Sequence, residues 1–334
     1  MLKSSLLRTK LNVASRSLFS QVGRNTRAYR GYATVFSLNS IEPVPLRFDK
    51  VPAMVKDSHN SSQMIESNQP PIVFVHGLLY VFEPIHEINP PPHRVDSGSK
   101  RNWTSISKMF ARASNRPVYS VDLRNHGDSP HQRPHTYEAM TTDLFHFFET
   151  HKLKEATLIG HSMGGKAAMA MALHPDLPKD MLSEVIIEDI APSRGSLSSE
   201  FQAYIETMQR IQDSRIKTRK EATDMMLKIE PDINVVSFLL TNLVTGKSGP
   251  DDHVTFRVPL DILNEHFEDL GSFPYSPGEV RWDGRILFVK GSKSPFINRK
   301  NIPIAQQFFP NMQSVNLDTG HWGKTNCTIR ALTN

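Results

Sequence analysis

The stretch LIGHSMGG, Leu158–Gly165, places Ser162 between two glycines at the junction of a predicted strand and a predicted helix. A G-x-S-x-G sequence in that context predicts a nucleophile elbow, a strained strand-to-helix turn that lifts a serine hydroxyl above a sheet. We expect glycine at positions 160 and 164 because side chains there would collide as the turn closes. The backbone N–H of Met163 would be free to meet an oxyanion. Ser162 is therefore the candidate nucleophile; the alternative is a glycine-rich helix start that only packs tightly.

Short apolar runs alternate with helical patterns from Pro70 onward. The spacing of apolar residues predicts an amphipathic helix over Thr136–Lys152, and a second helix is expected to follow Ser162. Several runs are apolar without alternation, which is typical of strands buried on both faces. The sequence therefore predicts an α/β fold with a mostly parallel sheet covered by helices. The predicted strands are Ile72–Val75, Pro117–Val121, Ala156–Ile159, Glu184–Ile187, Ile286–Val289 and Ser314–Leu317.

The alternation stops between Pro192 and about Pro274, where no strand-like run appears. Apolar residues at helical spacing begin at Phe201, and further helices are predicted near Ala222–Ile229 and Ile233–Leu243. We interpret this all-helical insertion between two strands as a cap over the strand ends, with a separate helical domain as the alternative. The predicted division is a core of residues 42–191 and 276–334 and a helical cap of residues 192–275.

The composition excludes several classes of protein. Of the 334 residues, 38% are hydrophobic and 22% are charged, which is not the composition of a disordered or fibrous protein. The single cysteine, Cys327, excludes a disulfide framework, and no cluster of Cys and His has the spacing of a structural zinc site. No apolar run approaches the roughly 20 residues that a transmembrane helix requires, so no membrane span is predicted.

The first 41 residues contain seven basic residues, and no acidic residue precedes Glu42. This segment is also rich in Ser and Leu, which is typical of a mitochondrial transit peptide, so residues 1–32 are predicted to be such a leader. The alternative is a solvated basic tail. Taking these seven from the 39 basic residues leaves 32 against 34 acidic residues, so no nucleic-acid surface is expected in the body of the chain.

A serine hydroxyl needs a base to take its proton, and after a nucleophile elbow the order along the chain is serine, acid, histidine. Beyond the helix that follows Ser162, the histidines are His253, His266 and His321. His321 follows the last predicted strand, and Gly320 permits the sharp turn that would aim its imidazole at the sheet edge. The other two fall in the predicted cap. His321 is therefore the candidate base.

The candidate acid comes from an earlier strand than in most enzymes of this architecture. The loop after the fifth predicted strand, Lys290–Phe296, contains neither Asp nor Glu. The strand before it ends in Glu188 and Asp189, and Asp189 could orient His321 and stabilise its imidazolium. Glu188 should face the opposite way, and Asp318 is too close to His321 in sequence to reach its far nitrogen. Asp189 is therefore the candidate acid.

The loop after the first buried strand, His76-Gly77-Leu78, is expected to complete an oxyanion hole. The N–H of Leu78 would pair with that of Met163, and each such donor is typically worth about 3–4 kcal/mol at the transition state. Gly77 would let the backbone approach the substrate carbonyl. We expect His76 to be a structural residue under the loop rather than a base.

Four stretches together resemble one branch of the α/β-hydrolases: small bacterial esterases, mitochondrial abhydrolase-domain proteins and yeast mitochondrial ethanol acetyltransferases. These stretches are Pro70–Leu78, Val121–Pro130, Gly160–Lys166 and Asp189–Pro192. The resemblance extends from about Pro70 to Trp322 and implies the α/β-hydrolase fold, a mostly parallel sheet flanked by helices with a helical cap insertion. In this branch the acid follows the strand after the elbow helix, which matches Asp189. The resemblance thus implies Ser162 as nucleophile, Asp189 as acid and His321 as base.

The resemblance and the predicted leader favour an alcohol O-acetyltransferase that makes ethyl acetate from acetyl-CoA and ethanol. The reaction would pass through an acyl-serine, with thioesterase and esterase side activities. The expected partners are small-molecule substrates, namely acetyl-CoA, ethanol and short esters; acetyl-CoA is a substrate, and no cofactor or metal is expected. A mitochondrial hydrolase of esters or thioesters is the alternative, because water can replace the alcohol in the second step.

Two features depart from the family pattern. About 19 residues, Leu79–Ser97, are interposed beside the expected oxyanion hole before the family-like stretch Gly98–Trp103. In addition, only 12 residues follow Trp322, where the family continues with a further helix. Loops longer than about 12–15 residues are uncommon in compact domains. These departures leave open a second alternative, an inactive α/β-hydrolase-like protein that binds partners.

Overall fold

The computed structural model of the chain describes residues 36–56, 62–65, 67–79, 104–245 and 252–321. Three predictions fall outside these ranges in whole or in part. They concern the leader of residues 1–32, the interposed loop after Leu79, and the segment that follows His321.

The described residues contain eleven strands, which are β1 (Phe48–Val51), β2 (Ala53–Lys56), β3 (Ser62–Ile65), β4 (Ile72–Val75), β5 (Val118–Val121), β6 (Ala156–His161), β7 (Leu182–Glu188), β8 (Leu243–Val244), β9 (Thr255–Phe256), β10 (Arg285–Gly291) and β11 (Gln313–Leu317). Seven of them form one sheet in the order β1-β5-β4-β6-β7-β10-β11. Within it β1 runs antiparallel to β5, and the other neighbours are parallel. The α/β fold with a mostly parallel sheet is thus confirmed.

The six strands predicted from sequence are all present, with bounds within two residues of those expected. The edge strand β1 was not predicted, because Asp49 and Lys50 occupy half of its four residues and interrupt any apolar run. The hairpin of β2 and β3 forms a separate two-stranded sheet. Sequence patterns therefore identified the largely buried strands and the half-exposed β11, but not the charged edge strand or the short hairpins.

Nine α-helices lie in the described residues: α1 (Thr104–Ser114), α2 (Tyr137–Thr150), α3 (Ser162–Leu173), α4 (Ser199–Asp213), α5 (Arg219–Met226), α6 (Ile233–Leu239), α7 (Leu260–Glu265), α8 (Phe267–Gly271) and α9 (Ile302–Phe308). The predicted helix over Thr136–Lys152 corresponds to α2, with Thr136 as its N-cap. No helix in this part of the chain has the length and apolar character needed to cross a membrane.

The sheet separates two apolar clusters, and β4 shows how. Its four residues are buried and alternate in direction, so that Val73 and Val75 join one cluster while Ile72 and Phe74 join the other. Helices α2 and α3 contribute to the first cluster, and α1 contributes Phe110 to the second. Because helices cover both faces, the central strands read as continuous apolar runs rather than as alternating ones.

We call residues 192–275 the insertion. It lies between β7 and β10 and contains helices α4 to α8. The expectation that it holds no strand is wrong, because β8 and β9 pair as a short antiparallel hairpin. Each of these strands is two residues long, which is too short to show a period of two in the sequence. Ile205 and Met208 of α4 belong to the same apolar cluster as α2 and α3, so the insertion packs onto the core. Its interpretation as a cap stays a prediction.

Candidate active site

Ser162 stands at the junction of β6 and α3 with a φ of 48°, in the left-handed region that residues with side chains rarely adopt. Two glycines make this turn possible. A Cβ at Gly160 would lie 2.5 Å from the carbonyl oxygen of Gly164, and a Cβ at Gly164 would lie 2.6 Å from the carbonyl oxygen of Val75. Such approaches require the backbone to move, so the predicted need for glycine at both positions is confirmed.

Three side chains that follow β6, β7 and β11 meet at the carboxyl edge of the sheet. Oγ of Ser162 lies 3.2 Å from Nε2 of His321, and Nδ1 of His321 lies 2.8 Å from Oδ2 of Asp189. Since Nδ1–H donates to the carboxylate, Nε2 carries the lone pair that accepts from the serine hydroxyl. The structure thus brings together the serine, acid and histidine that the sequence singled out, in an arrangement able to activate a serine.

Asp189 is held by the backbone as well as by His321. It has a φ of 51°, and its Oδ1 accepts a hydrogen bond of 2.9 Å from the N–H of Gly291. Burial alone would raise the pKa of Asp189, but hydrogen bonds from His321, Ser294 and Gly291 outweigh burial and place the pKa below its ordinary value. The carboxylate is therefore charged near neutral pH and can stabilise an imidazolium on His321.

Two residues to which sequence reasoning assigned no role contact His321, one at its imidazole and one at its backbone. The ring of Phe296 lies with its centroid 4.0 Å from that of His321. Nε2 of His161 lies 3.3 Å from the carbonyl oxygen of His321, and burial lowers the pKa of His161 to about 3, so it stays neutral. His161 stands inside the G-x-S-x-G motif, whereas no motif marks Phe296.

Two residues weighed as alternatives are engaged elsewhere. His266 pairs with Asp269, with 2.7 Å between Nδ1 and Oδ2. Asp318 is exposed and pairs with Lys293 across 3.0 Å. Among the described residues, no group of three or more His, Cys, Asp or Glu side chains is placed to bind a metal ion.

The loop after β4 presses against the elbow. A Cβ at Gly77 would lie 2.7 Å from Nδ1 of His161 and 3.1 Å from Cβ of Ser162, so glycine permits contact between the loop and the elbow. This is a reason for glycine in addition to the expected approach of a substrate. His76 fixes the loop, because its Nδ1–H donates to the Gly77 carbonyl across 2.8 Å and its Nε2 accepts from the N–H of Leu123 across 3.1 Å. The structural role predicted for His76 is confirmed.

A cavity of about 180 Å³ lies above Ser162. It is smaller than the roughly 300–1,000 Å³ of pockets for drug-sized ligands. Residues from both ends of the insertion contribute to its wall, and both candidate oxyanion residues border it. The lining includes Ser162, Leu78, Met163, Lys166, Leu270 and Phe296.

The sequence model of the Alpha/beta hydrolase family matches residues 72–280. The chain belongs to this family. A solved alpha/beta hydrolase structure, a marine microorganism esterase, has a TM-score of 0.69 and 27% identity and covers 86% of this chain and 97% of its own.

Three proteins with different names and activities are similar to the chain over most of their length. An abhydrolase domain-containing protein of Schizosaccharomyces pombe is 36% identical, covering 85% of this chain and 93% of its own. An sn-1-specific diacylglycerol lipase of Danio rerio is 33% identical and covers 86% and 80%. Ethanol acetyltransferase 1 of Cyberlindnera fabianii is 29% identical and covers 85% and 83%. This alpha/beta hydrolase is thus similar to hydrolases and to a transferase.

Lys166 is the residue of this alpha/beta hydrolase site that sequence reasoning left without a role. It stands one turn after Ser162 on α3, borders the cavity and is 5% exposed. Burial lowers its pKa to about 8. The signal available in the sequence was a single cation within SMGGKAAMAMAL, a helix otherwise made of small and apolar residues.

Proposed function

We propose that this alpha/beta hydrolase is an alcohol O-acetyltransferase that converts acetyl-CoA and ethanol into ethyl acetate and CoA. Ser162 is the nucleophile, His321 the general base and acid, and Asp189 the residue that orients His321. The backbone N–H groups of Leu78 and Met163 form the oxyanion hole. The observation that carries the proposal is the continuous contact from Ser162 Oγ through His321 to Asp189 at the base of the cavity.

The reaction has two acyl transfers that balance without a cofactor. Ser162 Oγ attacks the thioester carbonyl while His321 Nε2 takes the hydroxyl proton, and the C–S bond then breaks as His321 returns that proton to the CoA sulfur. Ethanol next attacks the acyl-serine, and its proton passes through His321 back to Ser162 Oγ as ethyl acetate leaves. Charge on the carbonyl oxygen is stabilised at both steps by the two N–H donors.

The size of the cavity supports a short acyl group. Its volume of about 180 Å³ lies below the roughly 300–1,000 Å³ of pockets for drug-sized ligands. A space of this size favours an acetyl group and a small alcohol over a long fatty acyl chain. Transfer also requires that alcohol be oriented against the acyl carbon while water is limited.

The relatives support acyl transfer through a serine, but their names differ in the molecule that accepts the acyl group, an alcohol or water. Ethanol acetyltransferase 1 of Cyberlindnera fabianii supports transfer to an alcohol. The diacylglycerol lipase and the marine esterase support a second candidate, hydrolysis of esters or thioesters at the same Ser162. The two functions share the acyl-serine and differ in the molecule that attacks it.

Incubation of the purified protein with acetyl-CoA and ethanol separates the two candidates. We expect ethyl acetate together with free CoA, with CoA in excess where the thioesterase side activity also releases acetate, and neither above background with Ser162→Ala. Free acetate without ethyl acetate would overturn the transferase and leave the hydrolase. Gas chromatography of the ester and a thiol assay for CoA provide the two measurements.

An inactive binding protein is the remaining alternative, and a fluorophosphonate probe tests it directly. The probe reacts with a serine only where a base activates it, so we expect labelling of the wild type and none of Ser162→Ala. The contact of 3.2 Å between Ser162 Oγ and His321 Nε2 supports this expectation. An unlabelled but folded wild type would favour the inactive protein.

A mitochondrial location is part of the proposal, supported by the basic, acid-free composition of residues 1–32. A fusion of these residues to a fluorescent protein should enter mitochondria. The matched control replaces the basic residues of the leader with Gln, and uptake of that control would remove the support.

A further inference from the structure

Lys166 is a buried ammonium whose partners are backbone carbonyls. Its Nζ lies 2.8 Å from the carbonyl oxygen of Ser272, 3.2 Å from that of Gly271 and 3.5 Å from that of Leu270. Burying an ammonium is costly unless its donors are satisfied. The three carbonyls match the three N–H groups of the lysine, so the side chain and this backbone segment hold each other in place.

The segment that Lys166 contacts is the end of the insertion. Leu270 and Gly271 close α8, and the last carbonyls of a helix have no partner inside the helix. Tyr137 of α2 also binds this segment, because its hydroxyl donates to the Leu270 carbonyl across 2.8 Å. The ammonium also lies 5.3 Å from the centre of the Tyr137 ring. Two core side chains thus converge on one short stretch of insertion backbone.

The same stretch is joined to the beginning of the insertion. The N–H of Gly195 donates to the Gly271 carbonyl across 3.0 Å, and a Cβ at Gly271 would collide with the backbone of Gly195. Nε of Arg194 donates to the Phe273 carbonyl across 2.9 Å. Because the two ends of the insertion are in contact, a side chain that fixes one end also fixes the other.

These contacts define one wall of the cavity above Ser162, since Lys166, Leu270, Gly271 and Gly195 all border it. We propose that Lys166 is a positioning residue that clamps Leu270–Ser272 onto the nucleophile helix and thereby limits the cavity to short acyl groups. This inference rests on the proposed acyl-serine chemistry and adds to it the residue that sets acyl-chain length.

The clamp predicts a change in selectivity rather than a uniform loss of activity. With Lys166→Met, which keeps the length but removes the donors, the ratio of kcat/KM for p-nitrophenyl octanoate to that for p-nitrophenyl acetate should rise about tenfold or more, mainly through a lower KM for octanoate. Tyr137→Phe keeps the ammonium and removes one donor to Leu270, so its ratio should rise by less. A merely structural role would lower both rates together, and an unchanged ratio would overturn the inference.

Hydrogen exchange gives a second measurement that does not depend on turnover. Amides around residues 269–275 should exchange about tenfold faster in Lys166→Met than in the wild type, while those of β6 stay unchanged. Equal exchange in the two proteins would overturn the clamp. Should Lys166→Met not fold, Lys166→Gln, which retains two donors, should show intermediate shifts in both measurements, and wild-type values for it would overturn the inference.

The failure of the proposed function is distinguishable from the failure of the clamp. Ester hydrolysis that depends on Ser162 but yields no ethyl acetate removes the transferase and leaves the clamp standing, because the acyl-serine forms in either case. Loss of all Ser162-dependent turnover in a folded wild type removes the acyl-serine chemistry and with it the selectivity role of Lys166.

Discussion

The carboxyl edge of the sheet and the insertion are attached to the site in different ways. At the sheet edge, Ser162 and Asp189 both stand in the left-handed region directly after buried strands, so backbone geometry sets their positions. The insertion contributes to the cavity through side-chain contacts at its ends, above all those of Lys166 and Tyr137. The catalytic chemistry therefore depends on the core, while the shape and size of the cavity depend on a few contacts between the core and the ends of the insertion.

A substitution at the sheet edge should have the largest effect. Asp189→Asn removes the negative charge that stabilises the imidazolium of His321, so we expect kcat/KM for p-nitrophenyl acetate to fall by about 10⁴-fold with little change in the octanoate-to-acetate ratio. Asp318→Asn is the control, since Asp318 is exposed and pairs with Lys293 rather than with His321. Comparable losses in the two variants would show that the carboxylate at 189 has no special role.

A buried ion pair inside the core should contribute more to stability than the exposed ion pairs between core and insertion. Arg124 and Asp143 are fully buried, with 2.6 Å between Nε and Oδ2 and 2.7 Å between Nη2 and Oδ1. Asp143→Asn leaves a buried guanidinium uncompensated and should lower the free energy of unfolding by about 3–5 kcal/mol in urea titrations. Arg133 pairs with Asp261 and Glu265 at a half-exposed position.

Arg133→Met is the matched test of the exposed pairs. It should cost at most about 1 kcal/mol, because solvent screens these pairs. A larger loss of stability in Arg133→Met than in Asp143→Asn would contradict this expectation. It would mean that the ion pairs between core and insertion contribute more to stability than the buried pair.

The sequence predicted the core because strong local signals marked it. The strands buried on both faces appear as apolar runs, and chain order together with the predicted strand ends was enough to choose Ser162, Asp189 and His321. The elements missed lack such signals: β1 carries two charges in four residues, and β8 and β9 are two residues long.

The side chains that shape the cavity could not be found in the same way. The role of Lys166 depends on contact with carbonyls 104 to 106 positions away along the chain, and backbone carbonyls leave no mark in a sequence. Phe296 packs on His321 for a similar reason, since its contact exists only once β10 and β11 have paired. Motifs therefore located the chemistry but not the walls around it.

The contribution of Lys166 to the free energy of unfolding should increase with pH. Its pKa falls from 10.5 to about 8 on folding because of burial, so between these values the unfolded chain binds a proton that the folded chain does not. Stability should therefore rise with pH across that window. Relative to Lys166→Met, the wild type should gain on the order of 2 kcal/mol between about pH 7 and about pH 9.5.

Tyr137, the titratable side chain packed against Lys166, does not complicate this measurement. Burial raises the pKa of Tyr137 well above its ordinary value, so it stays neutral throughout the range. Urea titrations of both proteins at the two pH values provide the difference. A difference that stays constant with pH, or that falls as pH rises, would contradict a buried, destabilised ammonium at this joint.

The smallest effect is expected within the insertion, away from its joints. Thr218 caps α5, because its Oγ1 accepts a hydrogen bond of 3.2 Å from the N–H of Glu221. In turn, the Glu221 carboxylate accepts a hydrogen bond of 2.9 Å from the N–H of Thr218. Thr218→Ala should cost about 1 kcal/mol of stability. Thr223→Ala, on the same helix but inside it, should cost less because alanine has the higher helix propensity.

Neither of these two substitutions should change kcat for acetate esters or the octanoate-to-acetate ratio, since neither residue borders the cavity. These substitutions destabilise a helix inside the insertion but leave the contacts between the insertion and the core unchanged. They therefore test whether selectivity depends on those contacts alone. If Thr218→Ala shifted the ratio as much as Lys166→Met, selectivity would depend on the stability of the whole insertion, and the joint at Leu270–Ser272 would have no special place in it.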